Sequence, residues 1–182
     1  MLDANVKNQL NTYLQNLKHP VELVVSVDDS QKAQELKSLA EDIDGLSSLI
    51  SVTEKVGKRT PSMTVINPEL ASQITFAGLP MGHEFTSLVL ALLHSGGHPI
   101  KLDADVIAQI RDLPGEYQFE TYVSLSCQTC PEVVQALNMM AAINPNITNV
   151  MIDGSLFQDE VNERNVMAVP SVFLNGEQFS MG

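Results

Sequence analysis

Apolar residues at Leu2, Val6, Leu10, Leu14 and Leu17 fall at spacings of four and three, which predicts one amphipathic helix, stopped by His19-Pro20. The pattern then changes period. Val21 to Val27 is a β-branched run of strand length, apolar enough to predict a strand covered on both faces. Asp28-Asp29-Ser30 supplies the acids and the hydroxyl that suit a helix start, and Ala33, Leu36, Leu39, Ala40 and Ile43 carry that helix to Gly45. Strands are expected at Leu49 to Thr53, at Ser62 to Ile66 behind Thr60-Pro61, and around Thr75-Phe76-Ala77. A helix opening at Gly82 follows, with Phe85, Leu88, Val89, Leu92 and Leu93 on one face.

The same grammar then runs a second time. A helix with Val106, Ile107, Ile110 and Leu113 ends at Pro114-Gly115, and Tyr117 to Leu125 reads as a strand that breaks at Cys127. Pro131 opens a helix with Val133, Val134, Leu137, Met140 and Ala141 inward; the Met139-Met140 pair reads as core packing. Thr148 to Ile152, a short helix about Leu156 to Asn162, and Val169 to Leu174 complete the series, and Asn175-Gly176 predicts a hairpin. Each half thus runs helix, strand, helix, strand, then a proline heading another strand. The fold class expected is α/β in two tandem copies, 1–100 and 101–182, divided at Ser95-Gly96-Gly97-His98-Pro99. Asp28-Asp29-Ser30 stands in the first where Cys127 to Cys130 stands in the second.

Composition narrows the function. At 182 residues with 44% hydrophobic and 18% charged, the chain has material for sizeable cores. Its longest apolar run, Leu88 to Leu93, is far short of the roughly 20 residues that span a bilayer, and the first eighteen residues lack the apolar stretch of a signal peptide. A cytoplasmic address and no membrane partner are expected. Net charge is -12; residues 1–100 carry 7 basic against 11 acidic side chains and residues 101–182 carry 3 against 11. Such a surface repels phosphate backbones, so nucleic acid is not an expected partner.

Cys127 and Cys130 are the only cysteines. A disulfide between them closes a loop of about four residues and stabilises by only about 2 kcal/mol, so redox chemistry fits better than a structural staple. Half of a metal site and an inert pair are the alternatives. A closed zinc site needs four ligands, and His19, His83, His94 and His98 all lie in the first half at no helpful spacing, so no metal is expected. A strand running into Cys-x-x-Cys and then a helix places Cys127 where unsatisfied N–H groups and the helix dipole favour a thiolate. Cys127 is then the nucleophile and Cys130 the resolving thiol. The chain holds no Gly-x-Gly-x-x-Gly, so no flavin or nicotinamide is expected to bind it.

Strand, Cys-x-x-Cys, helix, strand, helix, Val-Pro, strand is the layout that thioredoxin-like proteins share, and this chain resembles them. The resemblance implies that Pro170 is cis and lies against the cysteine pair, with the Val169 backbone offered to a partner. Four stretches, Gly82 to Leu88, Thr121 to Cys127, Val133 to Asn138 and Arg164 to Pro170, resemble the N-terminal domain of the flavoprotein component of bacterial alkyl hydroperoxide reductases. That family implies two fused thioredoxin-like folds that pass electrons to the disulfide of a peroxiredoxin. The donor is a core with FAD and redox cysteines, fed by NADH, in the remainder of a longer protein. The chain stops soon after Phe179, before the last helix of a second thioredoxin fold, so it reads as a piece of such a protein. Glu84 matches the family's glutamate that assists proton transfer. A general protein disulfide reductase or isomerase and a non-catalytic docking module are the alternatives.

The departure lies inside the motif, where the family pattern Cys-His-Asn-Cys is replaced by Cys127-Gln128-Thr129-Cys130. Gln128 carries no positive charge beside Cys127, so one source of thiolate stabilisation is absent and the pair is expected to be harder to keep reduced.

Overall fold

A computed structural model describes residues 2–182 of the chain. The first helix, α1 (Ala4–Leu14), starts at Asp3, whose carboxylate accepts from the Val6 amide at 2.9 Å. It is followed by β1 (Val21–Ser26), α2 (Gln31–Asp44) capped by Ser30, β2 (Ile50–Glu54), β3 (Ser62–Asn67) and β4 (Ser72–Ala77). A 3-10 turn over Gly82–Glu84 leads into α3 (Phe85–Ser95). The remainder is α4 (Ala104–Arg111), β5 (Tyr117–Val123), α5 (Cys130–Ile143), β6 (Ile147–Asp153), α6 (Gln158–Glu163), β7 (Ser171–Leu174) and β8 (Glu177–Met181).

All eight strands form one sheet in the order β2-β1-β3-β4-β6-β5-β7-β8. Within it, β1 lies parallel to β2 and antiparallel to β3, and β3 antiparallel to β4. The second set repeats this: β5 parallel to β6, antiparallel to β7, and β7 antiparallel to β8. The sets are joined edge to edge by parallel pairing of Ile74 to Ala77 with Asn149 to Ile152. The β7–β8 hairpin turns on Asn175 (φ 49°) and Gly176 (φ 85°), the two left-handed positions an Asn-Gly turn accommodates.

One face of the sheet carries the main core. Leu23, Val65, Ile74 and Phe119 project from it toward Leu10 and Leu14 of α1, Leu36 and Leu39 of α2, Leu88 and Leu92 of α3 and Val134 of α5. The reverse face is covered only over the second set, where α6 and its flanks bring Phe157, Val161 and Val166 onto Tyr122, Ile152 and Phe173. This corrects the expectation for β1. Val21, Leu23 and Val25 are fully buried, but Glu22 and Val24 between them are half-buried, because no helix lies over the reverse face there. In the first set the β2–β3 connection, residues 55–61, has no helix where α6 stands in the second.

Two polar devices fix α5 and the β2–β3 connection. Under the sheet, Thr121 Oγ1 donates to Asn149 Oδ1 at 2.9 Å, and Asn149 Nδ2 donates to Asn138 Oδ1 of α5 at 2.9 Å. On the reverse face Arg59, by sequence only part of a basic connection, is 8% exposed. Its guanidinium donates to Glu160 of α6 through Nε at 2.8 Å and through Nη2 at 2.9 Å, and Nη2 also reaches Glu120 of β5. Arg164 completes the cluster, donating to Glu120 at 3.0 Å and lying over the Phe173 ring at 4.6 Å from its centroid.

Candidate redox site

Cys127 and Cys130 are joined as a disulfide, with Cα atoms 5.6 Å apart. The strand-to-helix geometry sets their unequal exposure. β5 ends at Val123, the loop Ser124 to Thr129 rises to the surface, and α5 begins at Cys130. Cys130 is therefore fully buried in the main core, whereas Cys127 is half-exposed at its edge. The Cys130 amide donates to Cys127 Sγ at 3.2 Å, and the Thr129 hydroxyl lies 3.6 Å from the same sulfur. Both groups are placed to stabilise negative charge when Cys127 is a thiolate. Gln128 is exposed. Gln128→His is expected to make Cys127 of the reduced chain alkylate several-fold faster at mildly acidic pH, because an imidazolium adds charge stabilisation. Coincident pH profiles for the two proteins would contradict this.

The peptide bond Val169-Pro170 is cis, at the head of β7, and Thr60-Pro61 is also cis at the equivalent place before β3. Val169 and Ser124 both line an apolar groove of about 290 Å³ whose rim includes Gly154, Val166 and Ala168. Met167, 85% exposed, stands on its lip. The loop that carries the cysteines and the loop that carries the cis-proline therefore share one surface.

Glu84 comes to the same region from the first copy. Gly82 at φ +59° opens the 3-10 turn, and a Cβ there would lie 2.9 Å from the Leu125 carbonyl oxygen, so only glycine permits this approach. The adjacent His83 amide donates to that carbonyl at 3.1 Å, docking the turn two residues before Cys127. Glu84 is fully buried. Its Oε1 accepts from the Ser87 hydroxyl at 2.6 Å, while Oε2 has no hydrogen-bond partner. Burial pushes the carboxyl above its ordinary 4.5, against the weaker opposing effects of the Ser87 hydrogen bond and the His83 charge.

Sequence reasoning did not find Ser87 or Gln135, whose Nε2 donates to Ser87 Oγ at 3.1 Å. Nor did it find the Arg59 cluster, in which hydrogen bonds join residues 61 and 101 positions apart. The two strand-to-helix turns of the copies hold Asp28-Asp29-Ser30 and Cys127 to Cys130, without the glycines a dinucleotide pyrophosphate requires. No helix among the described residues is long and apolar enough to cross a membrane.

A paired set of strand orders, one Cys-x-x-Cys at a helix start and a cis-proline beside it define a tandem thioredoxin-like protein with a single redox disulfide. A thioredoxin domain family matches residues 118–182. The alkyl hydroperoxide reductase flavoprotein AhpF of Pseudomonas aeruginosa is 57% identical over all of this chain, which covers 35% of that protein. Among solved structures, AhpF of Enterococcus faecalis superposes with TM-score 0.87 at 30% identity, covering 100% of this chain and 94% of that one. The separate N-terminal domain of the same reductase gives TM-score 0.86 at 29% identity, covering 100% and 95%. The chain belongs to the AhpF family of alkyl hydroperoxide reductases and corresponds to its N-terminal, thioredoxin-like domain. It spans about a third of the length of the curated relatives it matches.

Proposed function

We propose that this chain is a dithiol/disulfide electron carrier that passes reducing equivalents to the disulfide of a peroxiredoxin, within a peroxide-detoxifying system. The observation that carries this reading is the Cys127–Cys130 disulfide at the start of α5, its reachable sulfur outermost and its partner buried. The division of labour is one copy for redox chemistry, 101–182, and one for support, 1–100. FAD and NADH belong to the remainder of the longer protein, whose flavin and redox-cysteine core reduces this disulfide, and the compartment is the cytoplasm.

In the reduced chain the Cys127 thiolate attacks one sulfur of the partner disulfide. A mixed disulfide forms and the other partner sulfur leaves as a thiolate, which takes up a proton. Cys130 gives its proton to the Glu84 carboxylate and attacks Cys127 Sγ. The mixed bond breaks, the second partner sulfur leaves with its electron pair, and the chain returns to the Cys127–Cys130 disulfide. Two electrons have moved to the partner. In the oxidised state Glu84 is held neutral by burial, ready to protonate Cys130 when the disulfide is next opened. Val169 presents its backbone to the partner beside Pro170, and the apolar groove receives the neighbouring side chains. Gln128 and Thr129, exposed between the cysteines, are placed to meet the same surface.

Trapping tests the assignment. Cys130→Ser retains the attacking thiol but cannot resolve, so the reduced variant is expected to accumulate a covalent adduct through Cys127. One dominant peroxiredoxin adduct supports the proposal. Many unrelated adducts would point to a general disulfide reductase, and no adduct to a docking module whose cysteines are incidental.

A further inference from the structure

We propose that Ser87 and Gln135 are positioning residues that direct the proton of Glu84 to Oε2, the oxygen free to exchange it with the cysteine pair; this rests on the proton-transfer reading of Glu84. Gln135 lies on α5, five residues after Cys130, and Ser87 lies in the first turn of α3. The helix that begins with the resolving cysteine is thereby hydrogen-bonded to the copy that supplies the acid.

Elementary donor counting sets the direction of the chain. The amide nitrogen of Gln135 only donates, so at 3.1 Å it occupies a lone pair of Ser87 Oγ. The one hydroxyl hydrogen of Ser87 is then free for Glu84 Oε1, 2.6 Å away. Were the Gln135 amide reversed, its carbonyl would compete for that hydrogen and the fully buried carboxyl would lose its hydrogen bond. With Oε1 occupied as an acceptor, a neutral Glu84 carries its hydrogen on Oε2, which is buried without a partner. When Glu84 is ionised, the Ser87 hydroxyl, held by Gln135, is the donor that steadies the buried charge.

The step this serves is explicit. A thiolate of an incoming dithiol attacks Cys127 Sγ, the electron pair of the Cys127–Cys130 bond departs on Cys130 Sγ, and the proton on Glu84 Oε2 passes to that sulfur. The products are a mixed disulfide on Cys127, a Cys130 thiol and a Glu84 carboxylate accepting from Ser87. Oxidation runs the same transfer backwards.

The test uses the full chain with dithiothreitol as the dithiol, and reads both the rate of disulfide reduction and the oxidised-minus-reduced infrared difference spectrum. In the native chain a neutral carboxyl band is expected in the oxidised state, and Glu84→Gln should remove it and slow reduction. Ser87→Ala should slow reduction about tenfold and Gln135→Met about threefold, on the scale of one hydrogen bond to a charged group. Both should move the carboxyl band to higher frequency, whereas Ser87→Thr, which keeps the hydroxyl, should restore rate and band. Gln135 is only half-buried, so its variant reports even if Ser87→Ala folds poorly. If Glu84→Gln slows reduction and removes the band while Ser87→Ala and Gln135→Met leave both as in the native chain, the positioning role is overturned. If Glu84→Gln itself changes neither, the reading of Glu84 beneath it fails.

Discussion

Arg59→Ala is expected to lower the free energy of unfolding by about 3 kcal/mol and the thermal midpoint by roughly 6–12 °C. The expectation follows from what the guanidinium would leave behind. Its Nε and Nη2 meet both carboxylate oxygens of Glu160, and it reaches Glu120 as well; at 8% exposed it is poorly replaced by water. Removing one member of a buried ionic group costs more than the group contributes intact, because the remaining charges stay desolvated. Glu120 keeps Arg164, whereas Glu160 keeps only the Tyr122 hydroxyl, at 2.7 Å. Arg59→Lys retains the charge without the two-pronged fork and should recover only part of the loss.

The pH dependence gives a second readout. Burial, the largest influence on Glu120 and Glu160, pushes both carboxyls up, but the hydrogen bonds and charges of their partners, Arg59 foremost, outweigh it and hold both below the ordinary 4.5. A folded-state value below the unfolded one contributes stability above the ordinary carboxylate range, lost as pH falls through the lowered values. The native chain should therefore lose stability on acidification below about 4.5, and Arg59→Ala should lose less, since part of that contribution is already gone. Denaturant titrations of both proteins at neutral and acid pH measure the difference. A loss under about 1 kcal/mol at neutral pH would show that the cluster is a solvated surface pair.

The location of Arg59 shows where a one-dimensional reading stops. Helix and strand succession is legible from period alone, and the repeat follows because both copies spend the same kinds of residue in the same order. The proline heading β3 and the one heading β7 are visible as equivalents; so are the acids of Asp28-Asp29 and the cysteines at corresponding helix starts. What period does not encode is which strand edges meet. Ile74 and Thr75 look like any half-buried strand, and nothing in them specifies Asn149 and Val150 as neighbours. Val24 fails for a related reason. In a run of valine and leucine, hydrophobicity does not alternate even where burial does, so a missing layer on one face leaves no mark. Ser87 and Gln135 are polar positions on amphipathic helices, indistinguishable by pattern from a solvated face, and only the packing of α3 against α5 makes them neighbours. Glu84, too, stands out by family resemblance alone, since an acid at a helix start has an ordinary electrostatic reason to be there. Its burial without a cation is the part that required three dimensions.

Replacing Cys127 by serine is expected to abolish disulfide exchange, lowering the rate with a dithiol or a partner disulfide by at least about 1000-fold, while Cys130→Ser still completes one covalent step. The asymmetry follows from how β5 and α5 place two chemically identical side chains. Cys127 is half-exposed, and it receives the Cys130 amide at 3.2 Å with the Thr129 hydroxyl close by, so it has both access and charge stabilisation. Cys130 is fully buried among Val134, Val123 and their neighbours, where a thiolate is costly and an incoming disulfide has no approach. With Cys127 gone, the remaining thiol is neutral and shielded. Stopped-flow exchange with a small aromatic disulfide, which reports the released thiolate by absorbance, separates the cases. The native reduced chain should release two equivalents, Cys130→Ser one, and Cys127→Ser none on the same timescale. Release from Cys127→Ser at a rate near that of Cys130→Ser would mean that Cys130 also reaches solvent, and the assignment of attacking and resolving thiols would have to be withdrawn.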